Sequence, residues 1–326
     1  MISSQQPERL RPPALRQGDT VGIVAPASGF RREDFEAGCD TLCRLGYRPF
    51  YLPSIFERDL YFAGALERRL SELHEMFSRT EVRAILCARG GYGCNYLLPH
   101  LDLELIRRNP KIFAGCSDVT TLLTYLCDRT GLVTFHAPMV AGDFSRPGGI
   151  DVDAWSAAVS SGKPYPRTFS RDEVQPLMEG DAEGILYGGC LSLLCVSLGT
   201  PYEIHTEGKI LFLEDRGEKP YQIDRMLMQL KLAGRFEGVA GIIIGEMLDC
   251  GQRDAADRTL HDLVVRILGG FGVPIAFGLK SGHVSGKSFT LPFGVSATLS
   301  VGQNVALKID AAVQAESPAS VRVSHP

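Results

Sequence analysis

The stretch Ile112-Phe113-Ala114-Gly115-Cys116-Ser117-Asp118-Val119-Thr120 constrains this chain more than any other. Ile112 to Gly115 predict a short buried strand, and Asp118-Val119-Thr120-Thr121-Leu122-Leu123 predict the start of a helix. Ser117 falls at the corner between them, at the positive end of a helix dipole. An oxyanion forming beside it meets backbone N–H groups that the first helical turn leaves unpaired. The local pattern is Gly-x-Ser-x-Val, without the second glycine of the usual nucleophile elbow. An ordinary strand-to-helix turn, with Asp118 as an N-terminal helix residue, therefore fits the same letters.

The flanking chain repeats the alternation. Thr20-Val21-Gly22-Ile23-Val24-Ala25-Pro26 reads as a buried strand ending in a loop, and 32–45 as a helix with Phe35, Cys39, Leu42 and Leu45 inward. A strand over 47–52 follows, then a helix over 63–79 with Arg68, Arg69, Glu72 and Glu75 on its wet side. Val82 to Cys87 is a third strand running into Ala88-Arg89-Gly90-Gly91-Tyr92-Gly93. Strands alternating with helices predict a parallel sheet covered on both faces, with ligands at the carboxyl ends of its strands. Both the Gly90-Gly91 loop and Ser117 lie at such ends.

The expected organisation is a flexible lead-in over 1–17, an N-terminal α/β domain over 18–161, a polar linker over 162–181, a β-rich C-terminal domain over 182–312 and a frayed tail over 313–326. Short β-like runs at 184–187, 209–213, 241–245, 297–301 and 305–309 carry the second domain, with one helix over 221–234.

Composition excludes several function classes. A net charge of -4 argues against a nucleic-acid-binding surface. No apolar run is long enough to span a bilayer, and the first residues do not form a secretory signal. The 9 cysteines form no CxxC pair, which predicts reduced thiols, a cytoplasmic location and no structural zinc. No cofactor is expected: Gly91-Tyr92-Gly93-Cys94-Asn95-Tyr96 fails the GxGxxG fingerprint at its last position, and GxxxxGK[ST] and HExxH are absent.

A serine nucleophile needs a base within hydrogen-bond reach and an acid to orient that base. His283 stands out among the 7 histidines, in the small polar loop Lys280-Ser281-Gly282-His283-Val284-Ser285-Gly286-Lys287 between two apolar segments. His136 follows a strand and reads as a satisfied near-core histidine. Glu214 is the acid candidate, because it ends the buried run Ile210-Leu211-Phe212-Leu213; Glu218 and Asp215 are rivals in the charge run that follows. Cys116 offers a cysteine nucleophile as an alternative to its neighbour Ser117.

In this order the pieces resemble the LD-carboxypeptidase family, serine peptidases of the muramoyl-tetrapeptide carboxypeptidase and microcin-C-immunity type. The resemblance runs over roughly 17–310. It rests on Gly18-Asp19, Ile23-Val24-Ala25-Pro26, Ala88 to Gly93, Gly115 to Thr120, Gly188-Gly189, Gly199-Thr200-Pro201-Tyr202, Leu213-Glu214-Asp215, Ile223-Asp224-Arg225, Gly282-His283, Leu291-Pro292 and Gly294. It implies Ser117 as nucleophile, His283 as general base, Glu214 as the residue orienting it, and the N–H groups of Gly91 and Asp118 as oxyanion hole. It further implies a Rossmann-like or flavodoxin-like N-terminal domain, a homodimer, and a small peptide or muropeptide substrate cleaved at an L,D-bond. The reaction expected is release of D-alanine from murein tetrapeptide in wall recycling; the rivals are a peptide-nucleotide amidase and a silent muropeptide-binding protein. Departures are Cys190 where an Asn is common, Tyr96 where an Arg is common, and Lys287 where a neutral amide is common. These touch the pocket lining rather than the triad. Arg89 and Arg216 are the candidates in sequence for holding the substrate's terminal carboxylate.

Overall fold

A computed structural model describes residues 7–251 and 256–315, apart from the side chains of 256–258. The first half alternates β1 (Thr20–Val24), α1 (Arg32–Arg44), β2 (Arg48–Phe50), α2 (Leu66–Ser78), β3 (Val82–Cys87), α3 (Leu103–Arg108), β4 (Ile112–Gly115), α4 (Thr120–Thr130), β5 (Thr134–His136) and α5 (Val152–Ser160). Then follow β6 (Tyr165–Phe169), β7 (Gln175–Met178), β8 (Gly180–Cys190), α6 (Leu191–Val196), β9 (Lys209–Glu214), α7 (Pro220–Leu232), β10 (Gly241–Gly245), α8 (Ala256–Leu268), β11 (Ile275–Leu279), β12 (Leu291–Phe293), β13 (Ser296–Val301) and β14 (Val305–Ile309).

The first sheet has the order β12-β5-β4-β3-β1-β2. Its strands β1 to β5 pair in parallel in the flavodoxin-type order, which reverses direction between β1 and β3. Near-continuous burial of β1, β3 and β4 is what a sheet covered on both faces requires. The loops after β1, β3 and β4 therefore converge at the carboxyl edge, carrying Ser28, Gly90-Gly91 and Ser117.

The second sheet has the order β6-β14-β13-β8-β9-β10-β11-β7. It is mixed: β8, β9, β10 and β11 are parallel neighbours, flanked by antiparallel strands. Glu214 ends β9, and the loop bearing His283 leaves β11. Here too the functional candidates sit at carboxyl ends. The larger apolar cluster runs through both sheets, joining Ile85 and Phe113 to Phe212, Ile243 and Leu299. Strand β12, from late in the chain, adds to the first sheet antiparallel to β5.

Four expectations need correction. Residues 162–181 are not a bare connection, since β6 and β7 form the two edges of the second sheet. Their polarity follows from position, because an edge strand exposes one face, as the burial of β6 at Phe169 alone indicates. In the lead-in, residues 7–17 are packed: Leu15 is buried, and Leu10 bridges to Leu132. The start of the tail is also held, with Val313 buried and the Gln314 N–H donating to the Pro12 carbonyl at 2.9 Å. The residues 1–6 and 316–326 lie outside the described set.

The fourth correction concerns α2. Arg69 and Glu72 are buried, not wet, and Arg68 is nearly so. Arg68 and Glu72 form an ion pair at 2.7 Å. Glu72 also accepts from the Ala25 N–H at 3.3 Å, tying α2 to the loop after β1. Among the described residues no helix is long and apolar enough to cross a membrane.

Candidate active site

Ser117 adopts φ 61°, one of four described non-glycine residues with positive φ. The chain leaves β4 through an extended Cys116, takes a single tight turn over 117–119 and enters α4. Such a backbone costs about 1–3 kcal/mol and persists only where its surroundings enforce it. Gly90 is part of that enforcement. A Cβ at position 90 would lie 2.7 Å from the Ser117 Cβ and 2.9 Å from its Oγ, so only glycine lets the loop close over the serine.

A buried polar frame holds the glycine loop. Arg69 donates to the carbonyls of Pro26 at 2.7 Å, Gly93 at 2.9 Å and Gly64 at 3.2 Å. The Asp118 carboxylate accepts from the Cys94 N–H at 2.8 Å, which ties the loop to the helix that Ser117 opens. Burial raises the Asp118 pKa, and its hydrogen bonds work against that rise. The Ser28 hydroxyl accepts from the Tyr92 N–H at 3.0 Å, and the Ser28 N–H donates to the Gly90 carbonyl at 3.1 Å. Gly91, at φ 102°, approaches Ser28 so closely that a Cβ would lie 2.5 Å from its Oγ.

Glu214 is fully buried at the end of β9. One carboxylate oxygen, Oε2, accepts twice from His283: from the backbone N–H at 3.1 Å and from Nδ1 at 2.9 Å. Burial by itself would raise the Glu214 pKa, yet the field and hydrogen bonds of His283 and the nearby His136 imidazole hold it below the ordinary carboxylate range. Burial likewise pulls the His283 pKa down, but the Glu214 carboxylate more than offsets this and the net shift is upward. Glycines again make room: a Cβ on Gly245 would lie 2.6 Å from the Glu214 Cβ, and one on Gly282 would lie 2.8 Å from its Cδ.

The two sheets are stitched beside this pair. The Cys190 N–H, at the end of β8, donates to Thr120 Oγ1 on the first turn of α4 at 3.1 Å. Cys190 is also the β-partner of Glu214. The structure thus brings the end of β9 to the helix that Ser117 opens.

The rivals are accounted for. The Asp215 carboxylate is engaged by the N–H groups of Ser192 and Arg216, each at 2.8 Å. Glu218 is half-buried with its pKa raised by burial, away from the His283 hydrogen bonds. Cys116 is buried, and burial pushes its thiol well up, so it is a poor source of thiolate. Arg89 is exposed and donates to the Gly29 carbonyl at 2.7 Å, while the exposed Arg216 pairs with Asp249 at 3.4 Å. Among the described residues no group of three or more His, Cys, Asp or Glu is placed to hold a metal ion.

Sequence reasoning missed Arg69, Glu72 and Ser28 as the frame of the loop. It also read His136 as satisfied. The residue is fully buried, but its Nε2 has no hydrogen-bond partner and faces Glu214 Oε1 at 3.7 Å. The signal that could have exposed Arg69 and Glu72 is their placement near Leu73 and Met76 on the helix's buried side.

Known proteins resemble this chain in sequence and in fold. A model of the LD-carboxypeptidase N-terminal domain matches residues 21–137, and one of the C-terminal domain matches 183–299. A probable murein peptide carboxypeptidase of Bacillus subtilis is 40% identical, over 91% of this chain and 93% of its own length. A murein tetrapeptide carboxypeptidase of Pseudomonas aeruginosa is 31% identical, over 86% of this chain and 92% of its own. The crystal structure of an MccF-like protein from Bacillus anthracis superposes with a TM-score of 0.83 at 28% identity, covering 93% of this chain and 99% of that one. The chain is thereby a serine-type peptidase, a hydrolase. It belongs to the LD-carboxypeptidase family.

Proposed function

We propose that the chain is a serine carboxypeptidase that cleaves an L,D-peptide bond and releases the terminal D-alanine of murein tetrapeptide. The observation that carries the mechanism is the buried Glu214 carboxylate accepting both N–H groups of His283. With Nδ1 bound as a donor, Nε2 is the acceptor that can take the Ser117 proton. Ser117 Oγ then attacks the scissile carbonyl carbon. His283 carries the proton as an imidazolium facing Glu214, and passes it to the departing D-alanine amine. A water, deprotonated by the same imidazole, hydrolyses the acyl-serine.

The N–H groups of Asp118 and Gly91 serve as the oxyanion hole. Asp118 lies in the first helical turn, where N–H groups lack intrahelical acceptors. The names of the two carboxypeptidase relatives support the substrate assignment. We read the enzyme as a cytoplasmic homodimer of two domains, with Arg89 or Arg216 receiving the substrate carboxylate.

Two expected results test this reading. The base must be neutral to work, so kcat/KM falls as pH drops through the His283 pKa. That pKa is raised, so the acid limb lies above the ordinary 6.5. Glu214 is held low and stays ionised throughout, adding no limb of its own between about pH 5 and 9. A carboxypeptidase also needs the free terminal carboxylate. Amidating it lowers kcat/KM by about tenfold or more, the loss of one charge-assisted contact. Assaying acid and amide forms of one tetrapeptide across this pH range reads both. Equal rates on the two forms mark a general amidase, and a missing acid limb removes His283 as base.

A further inference from the structure

We propose that His136 is a positioning residue of the catalytic pair, acting on His283 through the second oxygen of Glu214. The inference rests on the Ser117–His283–Glu214 reading above and extends it to a fourth side chain.

The location is central. His136 ends β5, pairs with Gly115 on the strand that delivers Ser117, and pairs on its other side with Leu291 of β12. Its ring is fully buried, with Phe212 and Phe293 at centroid distances of 5.3 and 5.6 Å. On one edge Nδ1 lies 2.9 Å from Ser281 Oγ, and on the other Nε2 lies 3.7 Å from Glu214 Oε1.

The hydrogen-bond inventory fixes the roles. Glu214 Oε2 takes both His283 N–H groups, which leaves the buried Oε1 without a hydrogen bond among the described residues. His136 Nε2 is buried and also without a hydrogen bond. Two complementary buried groups that lack other partners, face each other and sit just beyond bonding distance form a pair that a small contraction completes. The tautomer follows from Ser281. Its hydroxyl is buried, and its contact with Nδ1 is its one side-chain hydrogen bond among the described residues. If that hydroxyl donates, Nδ1 is the acceptor, and the proton of a neutral imidazole resides on Nε2, aimed at Oε1. A protonated His136 would present a second N–H to Ser281 and leave the hydroxyl proton without an acceptor.

The spacing is enforced from the third side. A Cβ on Gly282 would lie 2.6 Å from His136 Cε1 and 2.8 Å from Glu214 Cδ, so nothing larger than glycine fits between loop and pair. The ionisable groups around the cluster are Glu214, Asp215 and Arg216 from the end of β9, His283 from the loop after β11, Asp143 from the loop after β5, and the buried thiols of Cys116 and Cys190. Among them only His136 offers an N–H to Oε1.

The consequence is a division of labour on one carboxylate. Oε2 orients the base, and Oε1 is pinned by His136, so the carboxylate cannot rotate and its charge is shared between two donors. Without the second donor the charge concentrates toward His283, which raises the imidazolium's pKa and loosens the carboxylate's orientation.

The experiment compares His136→Phe and His136→Gln with wild-type enzyme and with His283→Ala, on a muramoyl tetrapeptide across pH 5 to 9. The phenylalanine fills the volume without a donor, and the glutamine amide restores one. His136→Phe is expected to lower kcat about 10- to 100-fold with KM nearly unchanged, the mark of an interaction used in the transition state. Its acid limb moves to higher pH, and His136→Gln recovers much of both. Histidine 15N NMR of the wild-type protein, assigned with His136→Gln, is expected to show the His136 ring proton on Nε2, with Nδ1 unprotonated beside the Ser281 hydroxyl. That reading holds even if the phenylalanine variant does not fold. A His136 protonated at Nδ1 overturns the proposal. So does wild-type kcat with an unmoved limb in His136→Phe while His283→Ala is inactive, which leaves the underlying reading intact. Full activity in His283→Ala overturns both.

Discussion

Ser117→Ala is expected to lower kcat by about 10³-fold or more, a loss of about 4 kcal/mol of transition-state stabilisation. The serine sits at φ 61° under Gly90 at the start of a helix, where the proposed mechanism places the nucleophile. Substrate binding is not expected to weaken in proportion, because the rest of the pocket is untouched. Cys116→Ala is the control. Its thiol is buried and its pKa is pushed well up, so the variant is expected to keep activity within a few-fold. Steady-state kinetics of both variants on one tetrapeptide decide the matter. An inactive Cys116 variant beside an active Ser117 variant would reverse the assignment.

Glu214→Ala is expected to be nearly as damaging, at about 10³-fold in kcat. Two N–H groups of His283 lose their common acceptor, the ring is freed to turn, and the imidazolium formed on proton transfer has no counter-charge. The His283 pKa should fall as well, since the carboxylate that raises it is gone and burial then acts alone. The acid limb of any residual activity therefore moves to lower pH. This is opposite in sign to the shift expected for His136→Phe, so the two variants separate loss of the carboxylate from loss of its second donor. Glu218→Ala is expected to be tolerated, because that side chain lies outside the pair. Equal damage from both glutamate variants would mean that the charge run acts collectively and that Glu214 has no special part.

How much of this was legible in the sequence depended on whether the information was local. The corner at Ser117 is local: a strand, a turn and a helix written in nine consecutive residues, and the structure has all three. The buried run before Glu214 is local too, since four apolar residues carry a carboxylate to the end of a strand. What was hidden is pairwise. Arg69 and Glu72 look like a solvated helix face, yet each finds buried partners in loops far along the chain: the Pro26 and Gly93 carbonyls for Arg69, the Ala25 N–H group for Glu72. Charge along a helix does not tell whether its partners are water or backbone. His136 is the same case, because its meaning comes from Ser281 and Glu214, brought close only by the join of the two sheets. The edge strands β6 and β7 escaped notice because exposure on one face makes their letters look like a linker. The inclusion of β12 in the first sheet escaped because three residues carry little periodicity.

The family shows a hydrolase of the serine-peptidase kind, and the geometry says how this chain would work as one. The decision rests on whether the terminal D-residue leaves, and through Ser117. Mass spectrometry of the intact protein and its products, after incubation with UDP-muramoyl-tetrapeptide, reads both. The account predicts conversion to the tripeptide with one D-alanine released per substrate, no such conversion by Ser117→Ala, and any trapped acyl adduct mapping to Ser117. An unchanged tetrapeptide, cleavage at an internal bond, or an adduct on any other residue would contradict it.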